Sequence, residues 1–394
     1  MRLLFIATAF PYPLKSGQRI RIFKLVRALA ELGHAVDLIC LADANDDLHA
    51  APVRALTRTV SAFPRADIGA PSRYTRAQLL RHALSESTPL SIAAAYTPAL
   101  ADMIATQLAH THYDAIWLDS LMLAHNLPAR HPPLIVDFDD VESVVEARAL
   151  ALRPLRYSTA FEYLDLWKRR RYERRVLRRA ATVLLASEHD RRRLKLLHAE
   201  VVPNTIDLPA CPIPQPGNDN ELLYFGILGY GPNRDALYFF HEHIWPSILA
   251  ARPSARLRIA GENPGARIEG WHDGRQVEVM GFVPDLRGLI AQAGVVIVPL
   301  RIGGGTRIKI LEAMALGKAV VSTRIGAEGL ELTSGENAYL TDAPADFATA
   351  CIELMGSTDR RAAMGCAARV HATTHFADTL LPTRIARALA RVAS

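Results

Sequence analysis

Three consecutive glycines, Gly303, Gly304 and Gly305, followed by Thr306, Arg307 and Lys309, have the residue types of a phosphate grip. Without Cβ atoms a chain can bring its backbone N–H groups close to an anion. A helix starting just after the bend adds the positive end of its dipole. Arg307 offers a planar fork for phosphate oxygens and Lys309 a point charge. Cations in a first helical turn oppose the dipole, so an anion among them would account for their presence. On residue types alone, a glycine-rich turn with solvated cations stays open as the alternative. The segment is not a P-loop, because no Gly-Lys-Ser/Thr closes it.

A second constellation, Asp137, Asp139 and Asp140 in VDFDDVES, follows the apolar run Leu134–Phe138. Such a cluster could orient a hydroxyl or hold a cation, and Asp140 could equally cap the next helix. No partner in the second half makes these carboxylates a glycosidase pair. A third feature is the basic run Lys168–Arg179 (KRRRYERRVLRR), which reads as a solvated face, a surface for anionic lipid or a nucleic-acid patch. Neither aromatic interleaving nor a nucleic-acid motif supports the last, and no nucleic-acid partner is expected.

These groups need elements to hold them. Val295–Pro299 reads as a buried strand ahead of the glycines. Thr306 is positioned to cap a helix whose inward face is Ile308, Leu311, Ala315 and Leu316. Upstream, Leu3–Thr8, a Pro/Gly loop, a helical pattern ending at Gly33, and Ala35–Leu41 form a β-loop-α-β opening. Further strands are expected at 115–118, 134–138, 181–186 and 200–202, with helices over 73–110 and 156–179. Cys211–Asn220, with three prolines, is the clearest linker. A second alternation follows: strands at 222–226, 255–260, 277–280, 295–299 and 319–322, a helix capped by Asn233 with Asp235 in its first turn, and helices from 343. The expected architecture is α/β, two Rossmann-like domains facing across a cleft: residues 1–205, a hinge at 206–220, residues 221–374, and a helix at 375–394 crossing back.

The 394 residues, half of them hydrophobic, suffice for two buried sheets. No apolar run approaches the roughly 18–20 residues of a membrane span. MRLLFIATAF reads as a first strand rather than a leader. Cys40, Cys211, Cys351 and Cys366 are too scattered for a metal site, and thiols of this kind fit a reducing, cytoplasmic setting. The net charge of +6 sits largely in the basic run, which makes a peripheral position at an inner membrane face one expectation.

GGGTRIKILEAMALGKAVVST with IGAEGL resembles the donor-site signature of glycosyltransferase family 4, in its branch with GGGTR-type loops. VPNTID at 202–207, GFVP at 281–284 and PYPLKSGQRIRIFKLVRALAELG at 11–33 extend the likeness over nearly the whole chain. The resemblance implies the GT-B fold and retaining transfer of a hexosyl group from a nucleotide-diphosphate-sugar to a saccharide or lipid-linked hydroxyl, in polysaccharide or glycoconjugate synthesis. It implies no obligatory metal and no cofactor beyond the sugar nucleotide. Glu312 matches the motif carboxylate that bonds the donor ribose. Gly304 stands where a first motif Glu normally meets the sugar, and Asn233 where a Lys normally meets the diphosphate. Arg307 and Lys309 are the expected substitutes for the missing cation, and Arg234 a weaker one. Gly17, assisted by Arg19, would approach the diphosphate or acceptor; Asp139 occupies the place of a catalytic His, with Asp137 and Asp140 on the acceptor side. A same-fold epimerase or phosphorylase and a non-catalytic nucleotide-sugar binder are the alternatives.

Overall fold

The structure, a computed structural model, describes residues 1–69, 75–154, 157–196, 198–208 and 217–393. The chain forms two compact units, Met1–Val202 joined by the chain from Leu381, and Pro203–Leu380. The second unit starts at Pro203, ahead of the expected break after 205. VPNTID is tied into it, because Ile206 N–H donates to Phe376 O at 2.7 Å and Ile206 bridges Ala377. Of the expected 206–220 hinge, residues 209–216, with Cys211, lie outside the described residues. The return to the first unit comes at Leu381 rather than 375, because helix Thr358–Phe376 runs through His375.

The first unit is built on a parallel sheet of strands β1 (Arg2–Ala7), β2 (Ala35–Ala42), β3 (Thr59–Pro64), β4 (Ala115–Leu118), β5 (Leu134–Phe138), β6 (Thr182–Leu185) and β7 (Ala199–Val201), in the order β3-β2-β1-β4-β5-β6-β7. Continuous apolar runs such as LLFI and AIWL are buried throughout, as strands covered on both faces require. β3 escapes the sequence pattern: it is a partly exposed edge strand ending in proline, which only an edge tolerates. Helix Gly17–Glu31 packs Ile22, Leu25, Val26 and Leu29 inward and ends at Gly33, whose φ of +78° suits the residue after a C-cap. The last helix, Leu381–Ala393, buries Leu381, Ile385, Ala388 and Leu389 in the same core.

The second unit carries β8 (Glu221–Phe225), β9 (Arg256–Ala260), β10 (Val277–Gly281), β11 (Val295–Val298), β12 (Ala319–Ser322) and β13 (Tyr339–Leu340), parallel in the order β10-β9-β8-β11-β12-β13. Strand order reverses at the β8/β11 pair here and at β1/β4 in the first unit. Loops leaving the carboxyl ends of those strands are where such sheets hold ligands. Two-residue β13 is too short to show a pattern in sequence.

Candidate functional site

In the second unit, the loop after β11 and the helix after β8 meet at the switch point. The glycine bend leaves β11 with Gly305 at a φ of +63°, a conformation that disfavours a side chain. Gly303 through Thr306 are buried, and a Cβ on Gly303 would overlap the Arg307 guanidinium, which lies back across the bend. Arg307 Nη1 donates to Gly305 O at 3.3 Å. The helix begins at Ile308, and Arg307 rather than Thr306 holds the cap position, without a side-chain cap bond. The chain stays non-helical through residue 307, so the Thr306 hydroxyl falls outside the first turn. Thr306 O instead accepts from the Asn204 amide at 3.3 Å, which fastens the VPNTID segment to the bend.

Lys309 lies in the first turn of that helix, Ile308–Ala315. Its side chain turns inward against Tyr224, at the end of β8, and Asn233. Nζ donates to Asn233 Oδ1 at 2.9 Å and to Tyr224 Oη at 3.1 Å, and sits 4.3 Å from the centroid of the Tyr224 ring. Both acceptors are neutral. Desolvation, with the nearby Arg307 charge, lowers the Lys309 pKa to about 7, and Glu312 offsets only part of this. Helix Gly231–His243 starts at Gly231 because Pro232 favours a first-turn position. Asn233 therefore lies inside the helix and does not cap it. Its Oδ1 accepts from Lys309 and Tyr224, and its Nδ2 donates to Ile227 O at 2.9 Å. Lys309 thus reaches Asn233 from the opposite element.

Glu312, half-buried, follows Lys309 by three residues and so shares its helix face. Gly304 is buried in the bend, whereas Arg234 is exposed and outside this group. Asp235 is not in the first turn. It forms a two-pronged ion pair with Arg301, at 2.6 and 3.1 Å, that braces the start of the glycine loop against the β8 helix. Neither that pair nor Tyr224 carries a motif that would single it out in sequence.

The first unit arranges its charges differently. Arg21, buried in helix Gly17–Glu31, holds Asp137 by two bonds of 2.8 and 2.5 Å and donates to Val202 O at 3.0 Å. Asp137 is therefore a buried anchor for Arg21 rather than a group presented to an acceptor. Burial pushes its carboxyl up to about 6, and Arg21 offsets enough of this to leave it ionised at neutral pH. Asp139 is partly exposed, 3.8 Å from Arg21 Nε. The next helix has Val141, not Asp140, at its cap position, without a side-chain cap bond, and Glu173 takes the Ser143 amide at 2.9 Å. Gly17 opens the Ser16-capped helix. Arg19, expected on the acceptor side, is instead clamped to Asp46 at 2.6 Å, Asp43 at 2.9 Å and Tyr12 O at 2.8 Å. Sequence reading also passes over Asp119, at the end of β4, which accepts from the Thr8 amide at 3.1 Å and from its hydroxyl. Desolvation, with the Asp137 charge, pushes Asp119 up to about 7.

No group of His, Cys, Asp and Glu among the described residues is arranged to hold a metal ion. No helix among them is long and apolar enough to cross a membrane.

A family model described as "Glycosyl transferase 4-like domain" matches residues 16–205, and one described as "Glycosyl transferases group 1" matches residues 219–357. Among solved structures, sucrose-phosphate synthase (tll1590) from Thermosynechococcus elongatus aligns at a TM-score of 0.72 and 18% identity, covering 100% of both chains. Anabaena Alr3699/HepE in complex with UDP aligns at 0.64 and 17% identity, covering 99% of this chain and 100% of that one. An uncharacterized 44.6 kDa protein in the cps region of Klebsiella pneumoniae is 26% identical over 136 residues, which is 32% of this chain and 35% of that relative. The matched segment thus spans about a third of the curated relative's length. Glycosyltransferase models match in both units, and the two-sheet architecture is that of the aligned structures: the chain belongs to the GT-B glycosyltransferases.

Proposed function

We propose that this glycosyltransferase moves a hexosyl group, with retention of anomeric configuration, from a nucleoside-diphosphate sugar to a hydroxyl of a saccharide or lipid-linked acceptor. The observation that carries the reading is the half-buried Lys309 ammonium, whose hydrogen-bond acceptors, Tyr224 Oη and Asn233 Oδ1, are both neutral. A desolvated cation of this kind gains most from an anion, and the adjacent glycine bend and Arg307 suit a pyrophosphate. The Anabaena HepE structure holds UDP, which favours a nucleotide as the source of that anion.

In this reading the anomeric C–O bond to phosphate breaks, a new one forms to the acceptor oxygen as its hydroxyl proton passes to the departing phosphate oxygen, and negative charge gathers on the leaving diphosphate. Lys309 and Arg307 stabilise it there, and this is the largest contribution the site makes. With two cations in that role, no divalent metal is required. Glu312 accepts from the ribose hydroxyls, and the backbone at Gly304 meets the sugar in place of a carboxylate. Asp139, partly exposed beside Arg21, faces the acceptor hydroxyl. The cps-region relative favours polysaccharide or glycoconjugate synthesis as the setting.

The test is a thermal-shift screen with UDP-, GDP-, ADP- and dTDP-sugars, followed by transfer and donor-hydrolysis assays with EDTA present. One donor should stabilise the chain by mass action and be consumed, and Lys309→Met should weaken the stabilisation and slow the consumption. Binding without consumption would leave a non-catalytic nucleotide-sugar binder. Epimerised donor without transfer would point to a same-fold epimerase.

A further inference from the structure

The basic run is not uniformly a surface. In helix Tyr157–Leu177, Lys168 and Arg169 are buried. Lys168 donates to His82 O at 3.0 Å, and Arg169 pairs with Glu142 and, at 2.8 Å, with Glu146. Buried Glu173 accepts from the Ser143 amide. These contacts fix the helix to the body of the first unit and leave one face outward.

At 100° per residue, that outward face runs through positions 163, 164, 167, 170, 171, 174, 175 and 178. Its first two turns are apolar: Tyr163, Leu164 and Trp167 are 40%, 36% and 56% exposed. The remainder is arginine: Arg170, Arg171, Arg174, Arg175 and Arg178, all exposed. Arg171 lies over the Trp167 ring, 5.7 Å from its centroid, where the two halves meet. The neighbouring acids do not reach this face: Glu162 pairs with Arg153 at 2.7 Å, Asp165 takes the Leu90 amide at 2.8 Å, and Glu173 is buried.

We infer that this helix face docks on an anionic lipid surface, with Leu164 and Trp167 entering the headgroup–acyl boundary and the arginines meeting lipid phosphates. Charge complementarity selects the anion. The apolar end selects lipid over nucleic acid, because an exposed leucine gains nothing from a phosphate backbone or a base edge, whereas it gains from an acyl boundary. Trp167, amphipathic and beside the arginines, suits headgroup depth. The inference stands on this helix alone and does not depend on the sugar-transfer reading.

The full chain should sediment with vesicles of phosphatidylcholine containing about one-third phosphatidylglycerol and not with phosphatidylcholine alone, and binding should weaken in about 0.5 M salt. Reversing Arg171, Arg174, Arg175 and Arg178 to Glu should weaken binding by about 100-fold or more, with the circular dichroism spectrum unchanged. In the unaltered chain, anionic vesicles should shift tryptophan emission to the blue. That shift should vanish in Trp167→Phe, since Trp117 and Trp245 are buried and Trp271, half-buried, is stacked on His241 in the second unit. The emission arm keeps the test decisive should the charge-reversed chain fail to fold. Failure to sediment, equal sedimentation on neutral vesicles, an emission shift that survives Trp167→Phe, or displacement from vesicles by equimolar duplex DNA would overturn the inference.

Discussion

Each unit places a cation in an early turn of a helix that leaves the switch region of its sheet, yet the two are electrically opposite. Arg21 in the first unit is enclosed with its own counter-charge, Asp137, and with Asp139 nearby. Lys309 in the second unit, half-buried, bonds a phenol and an amide. The first is internally neutralised and needs nothing from outside; the second bears an electrostatic cost that an incoming anion relieves. Cations on similar elements thus suit opposite ends, one to fasten a helix and one to receive a ligand, and the difference is that Asp137 bonds Arg21 directly whereas Glu312 only partly offsets the cost at Lys309.

The contrast is broken most severely at Arg21. Arg21→Met leaves Asp137 buried and uncompensated, and should cost about 3–5 kcal/mol in a urea titration. Arg21→Met combined with Asp137→Leu should recover most of that loss.

Lys309→Met should act in two directions at once. Affinity for the donor should fall by about 2–5 kcal/mol, read by calorimetry. The ligand-free chain should melt higher than the parent at pH 6–7 and not at pH 10. The sign follows from the lowered pKa. Below about 7 the lysine is charged in both states and the folded chain bears the full desolvation cost. As pH rises from there towards the ordinary value of 10.5, that cost disappears and stability increases. A parent chain whose stability does not rise across that interval would place the ammonium in a better-solvated position than the one described.

Smaller effects sharpen the same picture. Glu312→Gln should weaken a nucleoside diphosphate by about 1–3 kcal/mol while sparing inorganic pyrophosphate, as loss of a ribose contact would. Equal loss for both ligands would move Glu312 from the ribose to the cation pair. Arg19→Ala should cost about 1 kcal/mol of stability and leave acceptor KM unchanged, since its guanidinium is committed to Asp43 and Asp46.

The sheets were legible in sequence wherever both faces are covered. LLFIAT, AIWL, LIVDF and GVVIVPL are continuous apolar runs, and the structure has strands at each. Edge strand β3 and two-residue β13 were not legible, because half-exposure and shortness erase the pattern. The glycine bend and its cations were visible because they are contiguous. What completes them was not: Asn233 and Tyr224 lie 76 and 85 residues away, and only the fold delivers their oxygens to Lys309. Arg21 illustrates the converse failure. An arginine in an amphipathic helix looks solvated, and Asp137 looks presented to a ligand, until the Arg21–Asp137 pair is seen to be closed. Lys168 and Arg169 were hidden in the same way within a run of like charge.

The pairing of Lys309 with a diphosphate can be measured directly as proton uptake. Whichever of UDP, GDP, ADP and dTDP binds tightest should be titrated calorimetrically at pH 8 in buffers of different ionisation enthalpy. Because the ligand-free ammonium titrates near 7, it is mostly neutral at pH 8, and an anion beside it should restore the charge. Uptake of about 0.5–1 proton per site is predicted, falling to zero in Lys309→Met. No uptake, or proton release, in the parent chain would contradict the account.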